Sequence, residues 1–210
     1  MPQIITSSNF NKANELNIPL AADFISDNPS LQTPSAKAFL DNLCIKFEKE
    51  LLVNALGLVQ YNTLQLALAD IDNPTYAKYK KLVQGDEYDG KIWIGLNNDY
   101  SPIAWLVLQQ FLIAQSQQLT GIGVVNVQPE KAQLVSPKYR ISLANAAFIK
   151  SYQLGYLEYP IISHDGMFID WYGCPSDIAQ VSLYKYLVDK QADFNIDFFK
   201  PYQTHNSAGI

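Results

Sequence analysis

A chain of 210 residues is long enough to bury a core without disulfides or metals, so its stability does not require a cofactor. A formal net charge of -5 and a single arginine, Arg140, exclude the clustered cations of a general nucleic-acid binder. Charged residues are only 17% against 48% hydrophobic ones, few for a surface wholly open to water, which predicts that some of it meets other protein.

Residues 1–33 are dense in Asn, Ser and Pro, and their apolar positions, among them Phe10, Leu16 and Phe24, keep neither a helical nor a strand period. Such a segment has little of its own to offset the entropy of ordering, and it reads as an arm laid across another surface. A helical core is predicted over 34–160. Thr33-Pro34 places a capping hydroxyl before a proline at the first helical position. Ala38, Phe39, Leu43, Phe47, Leu51 and Leu52 then recur at threes and fours, predicting an amphipathic helix to about Leu56. Gly57 interrupts it, and Leu58, Tyr61, Leu64, Leu66 and Leu68 carry the pattern into a second helix until residues 70–74 break the period. Tyr76, Tyr79 and Leu82 mark a short third helix ending at Gly85, and Asp89-Gly90 before Lys91-Ile92-Trp93-Ile94 predicts a β-hairpin near 86–96.

Ser101-Pro102 opens the most apolar helix, read over 103–119 and expected to lie among other helices. Gly121 and Gly123 read as its stop. They release Val124, Val125 and Val127 into an extended piece expected to reach a neighbouring subunit. Residues 138–159 return to a helical period with Ala144, Phe148, Tyr152 and Tyr156 in a stripe, and Pro160 ends it. From 161 to 210 short apolar pieces alternate with turns. One further helix is predicted over 176–190, and a second arm carries Phe194, Ile196, Phe198, Phe199 and Tyr202 without period on the way to Ile210. The fold class is therefore mainly α: a helical bundle core with a small β-hairpin and extended N- and C-terminal arms.

Catalytic signatures are weak. Cys44 and Cys174 are far apart, with neither zinc-knuckle nor disulfide spacing, which suits a reducing cytosol. The start of the chain lacks the pattern of a signal peptide, and Gln109 and Gln110 break the longest apolar run, so no membrane span is expected. Lys78, Lys80 and Lys81 read as a solvated helix face. Gly121 and Gly123 lack the preceding strand and third glycine of a dinucleotide loop. Asp86, Glu87 and Asp89 lack the alternation and closing glutamate of a calcium loop. His164, Asp165, Asp170 and Cys174 form the one cluster suited to nucleophilic chemistry, where the favoured reading is a polar turn beside an ordinary thiol and a small hydrolase is the rival. Carboxylate chemistry stays open. No catalytic, cofactor or metal residue is assigned. The aromatic and apolar residues outside the helical stripes, Phe10, Leu16, Phe24, Val124, Val125, Val127, Phe194, Phe198, Phe199, Tyr202 and Ile210, are instead expected to be interface anchors.

The succession Phe10-Asn11-Lys12-Ala13-Asn14-Glu15-Leu16, the Leu52 to Tyr61 junction with Gly57, Tyr79 to Gly85 followed by Trp93-Ile94-Gly95-Leu96, Ser101-Pro102-Ile103-Ala104, Thr120-Gly121-Ile122-Gly123 and the closing Asn206-Ser207-Ala208-Gly209-Ile210 resembles a family of structural proteins from tailed phages and prophages of Bacteroidetes, of the head-tail connector type. The resemblance spans most of the chain in the same order. It implies a helical adaptor that assembles with copies of itself as a ring, expected to be twelve-fold, beneath the portal protein. Such a ring joins tail and neck proteins to the capsid vertex in the virion neck and is assembled in the host cytoplasm. DNA would pass through the middle without specific binding, for which an acidic ring is suited. A tail-completion or other neck adaptor, or an assembly chaperone, is the alternative from the binding class.

Overall fold

Five α-helices and five short strands carry the described residues: α1 (Ala36–Ala69), α2 (Ala77–Gln84), β1 (Asp86–Tyr88), β2 (Lys91–Trp93), α3 (Pro102–Ser116), β3 (Gln118–Thr120), β4 (Gly123–Val125), α4 (Pro137–Gln153), β5 (Ala179–Gln180) and α5 (Leu183–Asp189). The computed structural model describes residues 2–12, 14–18, 36–116, 118–120, 123–125, 137–153 and 179–202. The fold is mainly α with a small β-hairpin, as composition and period predict. The chain forms two compact units, Met1–Leu51 with Leu96–Phe148, and Leu52–Gly95 with Ile149–Ile210, so α1 and α4 each give residues to both.

In the first unit α3 begins where Ser101-Pro102 predicts. The Ser101 hydroxyl accepts the Ala104 N–H at 3.3 Å, closing one of the helix's orphan donors. Ile103, Ala104, Leu106, Val107, Leu108 and Phe111 are buried, so the helix is packed on most sides. Leu40 and Cys44 of α1 and Ala144 and Phe148 of α4 join this core, and Phe39 meets Phe111 with ring centroids 6.2 Å apart. The helix stops at Ser116, three residues before the expected end. β3 and β4 then pair antiparallel with Thr120 opposite Gly123. Gly123 therefore opens a strand, and the β-prone valines that follow it favour that pairing.

In the second unit Asp89 and Gly90 take φ of 48° and 71°, the left-handed pair that a two-residue hairpin demands, and Tyr88 lies opposite Lys91 as the sequence predicts. β5 adds to β2 in parallel, giving the order β1-β2-β5. This strand stands where a helix from 176 is expected. Helix α5 begins only at Leu183, capped by Ser182 Oγ, which accepts the Lys185 N–H at 3.2 Å. Trp93 anchors the layer, donating from Nε1 to the Leu82 carbonyl at 2.8 Å and stacking on Tyr186 at 5.3 Å.

Gly57 divides α1, with φ 76° and ψ 161°, a conformation essentially confined to glycine. Against the expectation that nothing here could span a membrane, Lys37–Ala69 passes that test on length and composition alone. Its inward side chains, Leu40 and Cys44 in one unit and Leu52, Leu56 and Leu64 in the other, are buried against their own chain as in a core helix. The predicted start at Thr33-Pro34, the end of α4 at Pro160 and the stripe residue Tyr156 lie outside the described residues.

Candidate interaction surfaces

The leading segment, residues 2–18, lies against the first unit. Ser7–Phe10 forms a 3-10 turn, and the Ile18 N–H returns to the Phe10 carbonyl at 2.8 Å, closing the segment on itself. Ile5, Phe10, Leu16 and Ile18 are buried. Phe10 and Leu16, expected to anchor on a neighbour, thus fill the core of their own unit, because the segment has enough apolar side chains to offset its ordering. Side chains on the receiving elements grip it. Glu48 Oε2 accepts the Ile4 and Ile5 N–H groups at 3.0 and 3.1 Å, and Asp41 Oδ1 accepts that of Ser7 at 3.0 Å. Lys12 Nζ lies 2.6 Å from both Asp99 carboxylate oxygens, and Arg140 Nη2 donates to the Asn17 carbonyl at 2.6 Å. Burying four such apolar side chains is worth roughly 1.5–3 kcal/mol each, against ~0–1 kcal/mol for an exposed ion pair like Lys12–Asp99, so apolar burial dominates the docking and the polar contacts set its register.

Burial pushes the Glu48 carboxyl up to about 7, while the Ile5 and Ile4 N–H groups pull the other way. One turn earlier Cys44 is fully buried, and burial followed by the charges of Asp41 and Glu48 pushes its thiol up to about 12. A thiol held neutral in this way is a packing group and not a nucleophile.

In the second unit the residues expected to form a C-terminal arm fold back. The Lys200 N–H reaches the Asn54 carbonyl at 2.8 Å, the Tyr152 hydroxyl donates to the Lys200 carbonyl at 2.8 Å, and the Tyr202 N–H donates to Gln153 Oε1 at 2.6 Å. Phe199 is buried between Tyr152 and Tyr184, with centroids 4.9 Å from each, and Phe194 is buried beside Tyr79 at 5.9 Å. These two expected anchors are therefore core residues, and Tyr202 is half-buried. Among the described residues of that set Phe198 is the one that stays outward, at 52% exposure over Gly57.

Two carboxylates bind the hairpin to α5. Asp189 receives Lys185 at 2.6 Å, Lys91 at 2.7 Å and the Tyr88 hydroxyl at 3.1 Å. Burial works against its charge, but these donors outweigh it and hold the carboxyl below the usual range. Burial first, then Asp189, pushes the Tyr88 phenol up. Asp86 lies 3.3 Å from both Lys81 and Lys190. Each carboxylate of the network is thus paired with two lysines. The Asp86, Glu87 and Asp89 stretch is strand and turn, and among the described residues no cluster of three or more His, Cys, Asp or Glu could hold a metal. An open depression of about 440 Å³ lies over Gln60, Asp193, Asn195 and Asp197, without the apolar walls typical of a ligand site.

What remains outward and unexplained by packing is apolar. In the second unit Leu58 (58% exposed), Val59 (78%) and Leu66 (64%) stand on one side of α1, with Asn62 also exposed between them. Residues 51–69 carry no charged side chain at all. An ordinary solvent-facing helix surface is studded with Lys and Glu, so this face is unusual. The sequence reading groups Leu58 and Leu66 with Tyr61 and Leu64, but only Tyr61 and Leu64 are buried, because Leu66 is two residues, roughly 200° of helix, from Leu64 and falls with Leu58 on the opposite side. The signal that does find the face is the long absence of charge. In the first unit Ile45, Tyr100, Tyr139 and Leu143 are outward apolar residues.

Val124 and Val125 lie in β4 opposite Leu119 and Gln118. Phe24, Val127 and Ile210, and the cluster His164, Asp165, Asp170 and Cys174, lie outside the described residues. No protein-family model, curated protein or solved structure matches the chain.

Proposed function

We propose that this chain is a structural subunit that assembles with copies of itself, of the head-tail connector type found in the neck of tailed phages. The observation that carries self-assembly is the uncharged face of α1 bearing Leu58, Val59 and Leu66. Two such faces meet without like-charge repulsion even though each chain carries a net -5. The station in the neck rests on the ordered motifs from Phe10 to Ile210 that resemble that family. An acidic subunit suits a channel through which DNA slides, since cations placed along it would hold the phosphates.

Light scattering of the full chain over a concentration series tests the reading. The expected result is a defined oligomer that V59E and L66E each dissociate, while circular dichroism of both variants stays that of the parent. Parent and variants with the same monomeric mass at every concentration would refute it.

A further inference from the structure

The groove that holds residues 2–18 recognises them as it would a separate peptide. Asp41, Glu48, Asp99 and Arg140 belong to α1, to the stretch before α3 and to α4, and each grips a backbone or side-chain group of the segment. Buried Ile5, Phe10, Leu16 and Ile18 supply the apolar contact. Residues 19–35 join the segment to α1, and a connection of that length spans at most roughly 55 Å. That exceeds the size of a body of about 100 residues, whose radius of gyration is near 13 Å.

The groove is also costly to leave empty. Glu48 is 4% exposed, and its carboxylate takes the Ile4 and Ile5 N–H groups of the segment. Withdrawing the segment breaks both of those hydrogen bonds and uncovers four apolar side chains. The detached state that avoids this loss is one in which an identical segment fills the groove, and a second copy of the chain carries that segment with every contact preserved. From this we infer that residues 2–18 are an exchangeable strap: in the assembly, the groove of one copy takes the leading segment of the next, as in domain swapping. The inference rests on the self-assembly proposed above and says how neighbouring copies are tied.

The 2.6 Å approach of Lys12 to Asp99 provides the test. A carbodiimide joins that ammonium and carboxylate as an amide, which mass spectrometry maps. In the parent protein the Lys12–Asp99 link forms whether the strap is docked on its own copy or on another. K12R and D99N, co-expressed as full chains, allow the link only between copies, because the copy that keeps Lys12 lacks Asp99. Random exchange gives roughly a quarter of the parent yield, in a covalent dimer. Oligomers that give the link in the parent and none in the co-expressed pair would overturn the strap while leaving self-assembly intact. A parent that scatters light as a monomer at every concentration and gives the link only within one chain would overturn both.

Discussion

Glu48 shows how much one side chain can say about the chain's condition. Its carboxyl titrates near 4.5 when exposed and at about 7 in the fold, where burial disfavours the charge more than two N–H groups favour it. Below pH 4.5 the group is neutral in both states and its contribution to stability is fully present. That contribution is lost as pH rises to about 7, and the difference is on the order of 3 kcal/mol. E48Q keeps an oxygen acceptor and stays neutral. Denaturant titrations at about pH 5 and pH 8 should therefore show the parent losing stability between them and E48Q losing much less, with the variant the more stable at pH 8. An unchanged slope would mean that Glu48 is not the group at fault. Its neighbour Cys44 raises no competing expectation in this window, since burial holds that thiol neutral up to about 12.

At the scale of elements, Gly57 is the hinge between two helices that periodicity already separates. A Cβ there would stand 2.8 Å from Phe198 Cγ, and the backbone at φ 76° and ψ 161° is nearly forbidden to other residues. G57A should cost about 1–3 kcal/mol from the backbone alone, and adding F198A should recover only the steric remainder. Thermal melts of the two variants decide this, and a G57A melt equal to the parent's would contradict it. The two halves of α1 show how far the period could be read. Before Gly57, Leu51 and Leu52 of the predicted stripe are buried, but Phe39, Leu43 and Phe47 are only half-buried and Ala38 is exposed, while Leu40 and Cys44, one residue off the stripe, are fully buried. After it, Leu58 and Leu66 face outward with Val59 and Asn62, because Leu66 stands two residues, roughly 200° of helix, from the buried Leu64. Asp89-Gly90 was legible since two residues determine a tight turn locally. The β3–β4 hairpin was hidden because glycines after an apolar helix also suit a cap. β5 was hidden because two residues of parallel pairing leave no periodic trace.

For the whole molecule, the contribution of the leading and trailing segments to the units is the feature that linear reading missed. Aperiodic aromatic stretches suggest arms, yet Phe10, Phe194 and Phe199 are core residues whose partners lie far along the chain. Contacts as distant as Lys12 to Asp99 or Lys78 to Asp193 obey no local rule, so only the tertiary fold reveals them. The charge-free run 51–69 was open to inspection throughout, and it leads to the surface that the proposed assembly uses. Each unit carries outward apolar residues of its own, Leu58, Val59 and Leu66 in the second and Ile45, Tyr139 and Leu143 in the first, which the proposed assembly would cover. Negative-stain electron microscopy of the concentrated full chain tests this most directly. The account predicts closed rings of one copy number, lost in V59E and L66E; uniform single subunits at every concentration would contradict it.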